Sequence, residues 1–212
     1  MVWKGIIFDL DGVICSTDNY HYLAWKQISD RLGIRFDKAV NQRLHGVSRL
    51  ESLEIILEQY DGEKLSAAEK HLLTEEKNAI YCGFLESIDK SFLEPEVEET
   101  LYKLRDKELH LMIGSSSKNA SFIIERLGIS HIFEAVIDGN QIKYSKPHPE
   151  VFQKAAASLK LQPEQCLVVE DACAGVEAAK AAGMKVACLG PASQKGMGDY
   201  NLHSFAALFD IL

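Results

Sequence analysis

The chain has 212 residues, 47% apolar and 25% charged, which suits one globular domain or one domain carrying an insertion, long enough to bury a core. A net charge of −8 and a pI near 5.4 weigh against a nucleic-acid or anionic-membrane surface, and no apolar run reaches the length of a membrane span. Cys15, Cys82, Cys166, Cys173 and Cys188 make no CxxC pair and leave one over in any bridging scheme, so reduced thiols in a soluble cytoplasmic protein are expected.

The first apolar run, residues 5–8, is followed by Asp9 and Asp11 on either side of Leu10. A strand's period of two turns both acids to one side. Two carboxylates this close repel unless a cation separates them or one keeps its proton. Gly12 lets the backbone leave the strand sharply. The plain alternative for this DxDG is a solvated surface turn.

From about residue 16 to residue 93 no strand pattern is visible, only helical patterns at 18–32, 49–60 and 66–87. A parallel crossover needs one helix rather than three. The stretch is therefore expected to be an inserted all-helical cap domain, with hinge strands near Ser16 and Pro95. Within it His21 and Trp25, four apart, share a helix face. "HGVSRLES" places Gly46, Val47, Ser48, Arg49 and Ser52 at the start of the second helix, and "EEKNAIY" supplies Lys77 and Asn78 on the third. Trp25 and His21 also read as packed helix residues, and Lys77 as a solvated lysine among Glu75 and Glu76. Arg49 has the stronger functional case, because its fork can grip a phosphate with two parallel bonds and a helix start reinforces the site.

Beyond the insertion, short continuous apolar runs at 109–113, 135–137, 166–169 and 186–189 alternate with helical stripes. The stripes are Val97, Leu101 and Leu104; Phe122, Ile123 and Leu127; Val151, Phe152, Ala155 and Leu159; and Val176, Ala179 and Ala182, stopped by Gly183. Strands buried on both faces of a parallel sheet have this appearance. The expected fold is α/β: a doubly wound, Rossmann-like core over residues 1–15 and 94–212, with the cap over 16–93.

Polar groups fall where these strands end. Ser115, Ser116, Ser117, Lys118 and Asn119 lead into a helix start, whose free N–H groups and hydroxyls would bind an anion. Lys146 sits beside Pro147 in "YSKPHPE", a stiffened loop carrying a fixed positive charge. Glu170 and Asp171 are hard oxygen donors suited to Mg²⁺. Each has a plain reading as a polar cap, an exposed lysine or an acidic turn. Four complementary groups at the strand exits of one sheet argue against coincidence.

In this order, "DLDGV", "SSSKN", "SKPHPE" and "VEDACAG" resemble the four motifs of the haloacid dehalogenase-like phosphotransferases, a match running from the first strand to at least Gly190. The resemblance implies that Asp9 attacks phosphorus and becomes an aspartyl phosphate, and that Asp11 is the general acid and base. It implies Mg²⁺ held by Asp9, the Asp11 backbone carbonyl and Asp171, with Glu170 contributing directly or through water. Ser115 and Lys146 would neutralise the phosphoryl oxygens, while Ser116, Ser117, Lys118 and Asn119 hold the phosphate. Arg49 would grip a second, distal phosphate, and His21, Trp25, Gly46, Val47, Ser48, Ser52 and Lys77 would line a sugar pocket under a cap that closes to exclude water. His45 stands where the family commonly has lysine, Ser16 replaces a frequent aspartate, and Ala172 with Cys173 replaces a more polar pair.

The implied reaction is a sugar-phosphate mutation, β-glucose 1-phosphate to glucose 6-phosphate through β-glucose 1,6-bisphosphate, which also primes the enzyme. The alternative is a hydrolase of small sugar phosphates. A non-catalytic sugar-phosphate sensor is disfavoured because every catalytic group is present. A monomer acting on a small phosphosugar, with no nucleic-acid or membrane partner, is expected.

Overall fold

Apolar runs of three to five residues, too short for a helix, become five of the six strands of a parallel sheet. The computed structural model describes residues 3–44 and 47–212. Its strands are β1 (Gly5–Phe8), β2 (His110–Gly114), β3 (Ala135–Ile137), β4 (Cys166–Glu170), β5 (Lys185–Cys188) and β6 (Tyr200–Asn201). They form one sheet in the order β3-β2-β1-β4-β5-β6, every neighbouring pair parallel. The register aligns Met112, Ile7, Val168 and Val186 in one row across the sheet, all buried in one apolar cluster with Val151, Phe152, Val176 and Ala179 from two covering helices. On the other face Phe8 stacks on Phe205 at 5.7 Å and meets Phe133 edge-on at 6.2 Å. With both faces covered, the central strands need no polar alternation.

The helices are α1 (Asp18–Arg31), α2 (Lys38–Gln42), α3 (Arg49–Leu57), α4 (Ala67–Leu85), α5 (Pro95–Asp106), α6 (Ala120–Arg126), α7 (Glu150–Ser158), α8 (Cys173–Ala181) and α9 (Gly190–Gln194). The chain divides into two compact units. One comprises the residues up to Ser16 together with Ile88–Leu212 and contains the sheet; the other, Thr17–Ser87, is wholly helical among its described residues. Trp25, Ile28, Phe36, Val40, Leu53 and Ile56 form the helical unit's own apolar cluster. No helix among the described residues is long and apolar enough to cross a membrane.

Several expectations shift. Residues 88–93 belong with the sheet unit rather than the insertion: Ile88 and Leu93 are buried, and the Ile88 carbonyl accepts from Arg126 Nε at 2.8 Å. No hinge strand forms near Ser16 or Pro95; Pro95 opens α5, where its missing N–H costs nothing. The insertion has a fourth helix, α2, capped by Asp37, whose Oδ1 accepts from the N–H of Ala39 and Val40. Phe122 is 42% exposed, because the buried stripe of α6 runs through Ala120, Ile123, Ile124 and Leu127 and residue 122 is out of phase with it. The second strand starts one residue late, since Glu108 takes a left-handed turn at φ 58°. Beyond Gly190 the tail adds α9, β6 and a 3₁₀ turn over Ala206–Asp210.

Candidate active site

The strand order reverses between β1 and β4, the point where ligands of open α/β sheets bind outside the carboxyl ends. Asp9 follows β1 and stays in the ladder, its N–H donating to the Val169 carbonyl at 2.9 Å. Glu170 ends β4, and Asp171 follows. One carboxylate oxygen from each of Asp9, Glu170 and Asp171 lies within 4.8 Å of the others, and all three residues are buried.

Lys146 enters this cluster from the loop between β3 and α7. It is 1% exposed, and its Nζ donates to Asp9 Oδ1 and Glu170 Oε1, both at 2.6 Å. Burial alone would lower its pKa, yet Asp9 and Glu170 outweigh burial and hold it above the ordinary lysine value. The same burial pushes the Asp9 carboxyl up to about 7, with Lys146 pulling it down and Glu170 pushing it further up. Glu170 has both oxygens engaged: Oε1 by Lys146, and Oε2 by the N–H groups of Asp171 and Ala172 at 2.9 Å each.

Two glycines make the approach possible. A Cβ on Gly175, in the first turn of α8, would lie 1.7 Å from Glu170 Oε1. Gly12 has φ +80°, and a Cβ there would sit 2.1 Å from Asp171 Oδ2. The strand ends at Phe8, so a turn rather than the strand's period sets the relation of Asp9 to Asp11. The N–H groups of Val13, Ile14 and Cys15 all donate to the Leu10 carbonyl, and Asp11 bridges to Cys15. Asp11 is half-buried, outside the three-carboxylate cluster, and close enough for its charge to oppose that of Asp9.

The donor set fits a hard divalent cation. With all three carboxylates ionised against one ammonium, two negative charges remain at a buried spot, and oxygen donors suit Mg²⁺ better than softer metals.

Ser115 continues the β2–β3 ladder by donating to the Ile137 carbonyl at 3.0 Å. The N–H groups expected to be free at the next helix start are partly engaged. Ser115 Oγ accepts from Ser117 N at 3.1 Å, and Ser117 Oγ accepts from Asn119 N at 3.2 Å. Ser116 Oγ accepts from Lys146 N at 3.3 Å, tying the serine loop to the lysine loop. Lys118 is exposed, and its carbonyl accepts from Asn140 Nδ2 at 2.8 Å.

In the helical unit, His21 on α1 meets Lys77 on α4, Nδ1 to Nζ at 2.6 Å, and stacks on Tyr81 with ring centroids 4.0 Å apart. Lys77 is 2% exposed and lies over the rings of Tyr81 and Trp25, so it is no solvated lysine. Trp25 belongs to the unit's apolar cluster, as the packed reading has it. Ser48 caps α3 reciprocally with Glu51, and Ser52 is buried one turn on. Val47 is half-buried, while His45 and Gly46 lie outside the described residues. Arg49, the first residue of α3, reaches Glu75 Oε1 and Asn78 Oδ1 on α4, both at 2.9 Å. Burial pulls its guanidinium below the usual arginine range, with Glu75 acting in the opposite direction.

Sequence reading missed the support around these groups. Glu75 as the Arg49 partner carries no local signal. Glu150 does, as an acid directly after a proline at a helix start with a lysine four residues on.

A family model described as haloacid dehalogenase-like hydrolase matches residues 3–183. Beta-phosphoglucomutase of Bacillus subtilis is 42% identical over 182 residues, covering 85% of this chain and 80% of the relative. A fructose-1-phosphate phosphatase of Escherichia coli is 31% identical over 183 residues, covering 86% and 94%. The crystal structure of beta-phosphoglucomutase from Clostridium difficile has a TM-score of 0.90 at 35% identity, covering 98% of this chain and 93% of its own.

Proposed function

Because the chain belongs to the haloacid dehalogenase-like hydrolase family, we propose that it is a Mg²⁺-dependent mutase converting β-glucose 1-phosphate into glucose 6-phosphate through β-glucose 1,6-bisphosphate. Asp9 Oδ attacks phosphorus in line, the bond from phosphorus to the sugar oxygen breaks, and that oxygen takes a proton from Asp11. In the second half, Asp11 takes the proton back from the other sugar hydroxyl, whose oxygen attacks the phosphoryl group and releases Asp9. Lys146, Ser115 and the surrounding Ser116, Ser117, Lys118 and Asn119 orient the phosphoryl oxygens and offset their charge. Asp9, the Asp11 carbonyl and Asp171 would hold Mg²⁺, with Glu170 acting directly or through water. When bound, the ion supplies positive charge to the nonbridging phosphoryl oxygens.

The observation that favours a mutase over a hydrolase is Arg49. A mutase must hold the phosphate that is not being transferred, and a hydrolase need not. Arg49 is a partly buried guanidinium on a capped helix start in the insertion, backed by two polar groups on α4. His21, Trp25, Gly46, Val47, Ser48, Ser52 and Lys77 would complete the sugar pocket. The phosphatase relative keeps hydrolysis as the second reading. Phosphorus NMR of the enzyme with Mg²⁺, β-glucose 1-phosphate and the bisphosphate primer should show glucose 6-phosphate accumulating. Inorganic phosphate as the sole phosphorus product would overturn the mutase and leave the hydrolase.

A further inference from the structure

Lys146 is carried by a stretch without regular structure, from Asp138 to Pro149 between β3 and α7. Backbone groups in such a stretch need partners outside a ladder. Those just ahead of Lys146 find one in Glu150: the N–H groups of Lys143 and Tyr144 both donate to its Oε2 at 2.9 Å. Glu150 Oε1 pairs with Lys154 Nζ at 2.7 Å, one turn along α7, and that Nζ also donates to the Gln141 carbonyl. Gln141 Oε1 accepts from Asp138 N at 2.9 Å, which closes the path back to the exit of β3. Two residues after Glu150 on α7, the Phe152 ring lies 4.7 Å from Lys146 Nζ.

We infer that Glu150 is a positioning residue for Lys146, its carboxylate pinning the approach segment so that Nζ stands between Asp9 and Glu170. This rests on the reading above that Lys146 takes part in phosphoryl transfer. Lys146 touches two carboxylates at hydrogen-bond distance from a loop held by side chains rather than by a ladder, Glu150 just ahead of the lysine and Ser116 Oγ at its own N–H, so loosening the loop moves the charge away from the reacting oxygens. Small displacements of a positioning charge are costly in transfer chemistry. Lys154 and the two N–H groups hold the Glu150 carboxyl down to about 2, so the clamp stays charged at any ordinary working pH.

Single-turnover phosphorylation of Asp9 by β-glucose 1,6-bisphosphate, with Mg²⁺ and the full chain, tests this. The half-reaction is common to mutase and phosphatase. Glu150→Ala should slow it about ten- to a hundredfold at saturation, with little change in the half-saturating donor concentration. Glu150→Gln keeps an oxygen for both N–H groups and should restore most of the rate. Glu150→Asp keeps the charge but shortens the reach, and should be slow; it serves with Glu150→Gln if the alanine variant does not fold. Alanine and aspartate variants that phosphorylate at the wild-type rate, whatever their melting temperatures, overturn the inference alone. A wild-type enzyme that never carries phosphate on Asp9 sinks the functional reading and this inference with it.

Discussion

Burial at the exit of β1 raises the Asp9 carboxyl to about 7, with Lys146 working against the rise and Glu170 and Asp11 adding to it. The value thus exceeds the ordinary 3.8, so between the two values the folded chain binds a proton that the unfolded chain releases. Stability from this group is full below about pH 4 and lost as the pH rises through about 7. A cation at the cluster competes with that proton. Mg²⁺ affinity should therefore climb between about pH 6 and 8, with a proton released on binding. Calorimetry in two buffers of different ionisation heat checks it; identical heats would contradict the account. The acids and Lys146 were legible as residue types at strand exits. The glycines that admit them, Gly12 and Gly175, were less so, because what each must make room for lies on a distant part of the chain or behind a helix turn.

Helices carried their own start signals. Ser48 with Glu51 and Ser66 with Glu69 form reciprocal caps on α3 and α4, each worth about 1 kcal/mol. What α4 does to Arg49 is a relation between elements. Glu75 and Asn78 occupy the guanidinium that would bind phosphate. Arg49→Ala should lower kcat/KM for isomerisation by about ten- to a hundredfold, the range of a charged hydrogen bond, and leave hydrolysis of acetyl phosphate unchanged. Glu75→Gln should act oppositely and lower the half-saturating bisphosphate concentration about two- to fivefold, since a partly exposed pair is worth at most about 1 kcal/mol. Steady-state kinetics on both variants decides. An Arg49→Ala enzyme that isomerises normally would remove the distal grip from the mechanism.

Across the whole molecule, the candidate metal site exists only when distant segments meet. Lys146 bonds Asp9 across 137 positions of sequence, and Glu170 across 24. An unfolded chain cannot reproduce that cluster, so Mg²⁺ should bind the native state alone and raise its melting temperature. At a hundredfold excess over Kd the gain is about 2.7 kcal/mol. Asp171→Ala should abolish the shift without unfolding the sheet, which differential scanning calorimetry would show; an undiminished shift would place the ion elsewhere.

The amino-acid order determined the parallel sheet, the helical insertion and the acids, serines and lysine at the strand exits, because buried strands read as unbroken apolar runs and polar groups concentrate where those runs stop. Tertiary structure alone decided how those groups are partnered: Lys146 shared between Asp9 and Glu170, Arg49 paired with Glu75 and Asn78, and Lys77 withdrawn from solvent onto His21 and two aromatic rings. Local periodicity assigns a side chain to a face, whereas a hydrogen bond or an ion pair across many residues depends on how the elements pack.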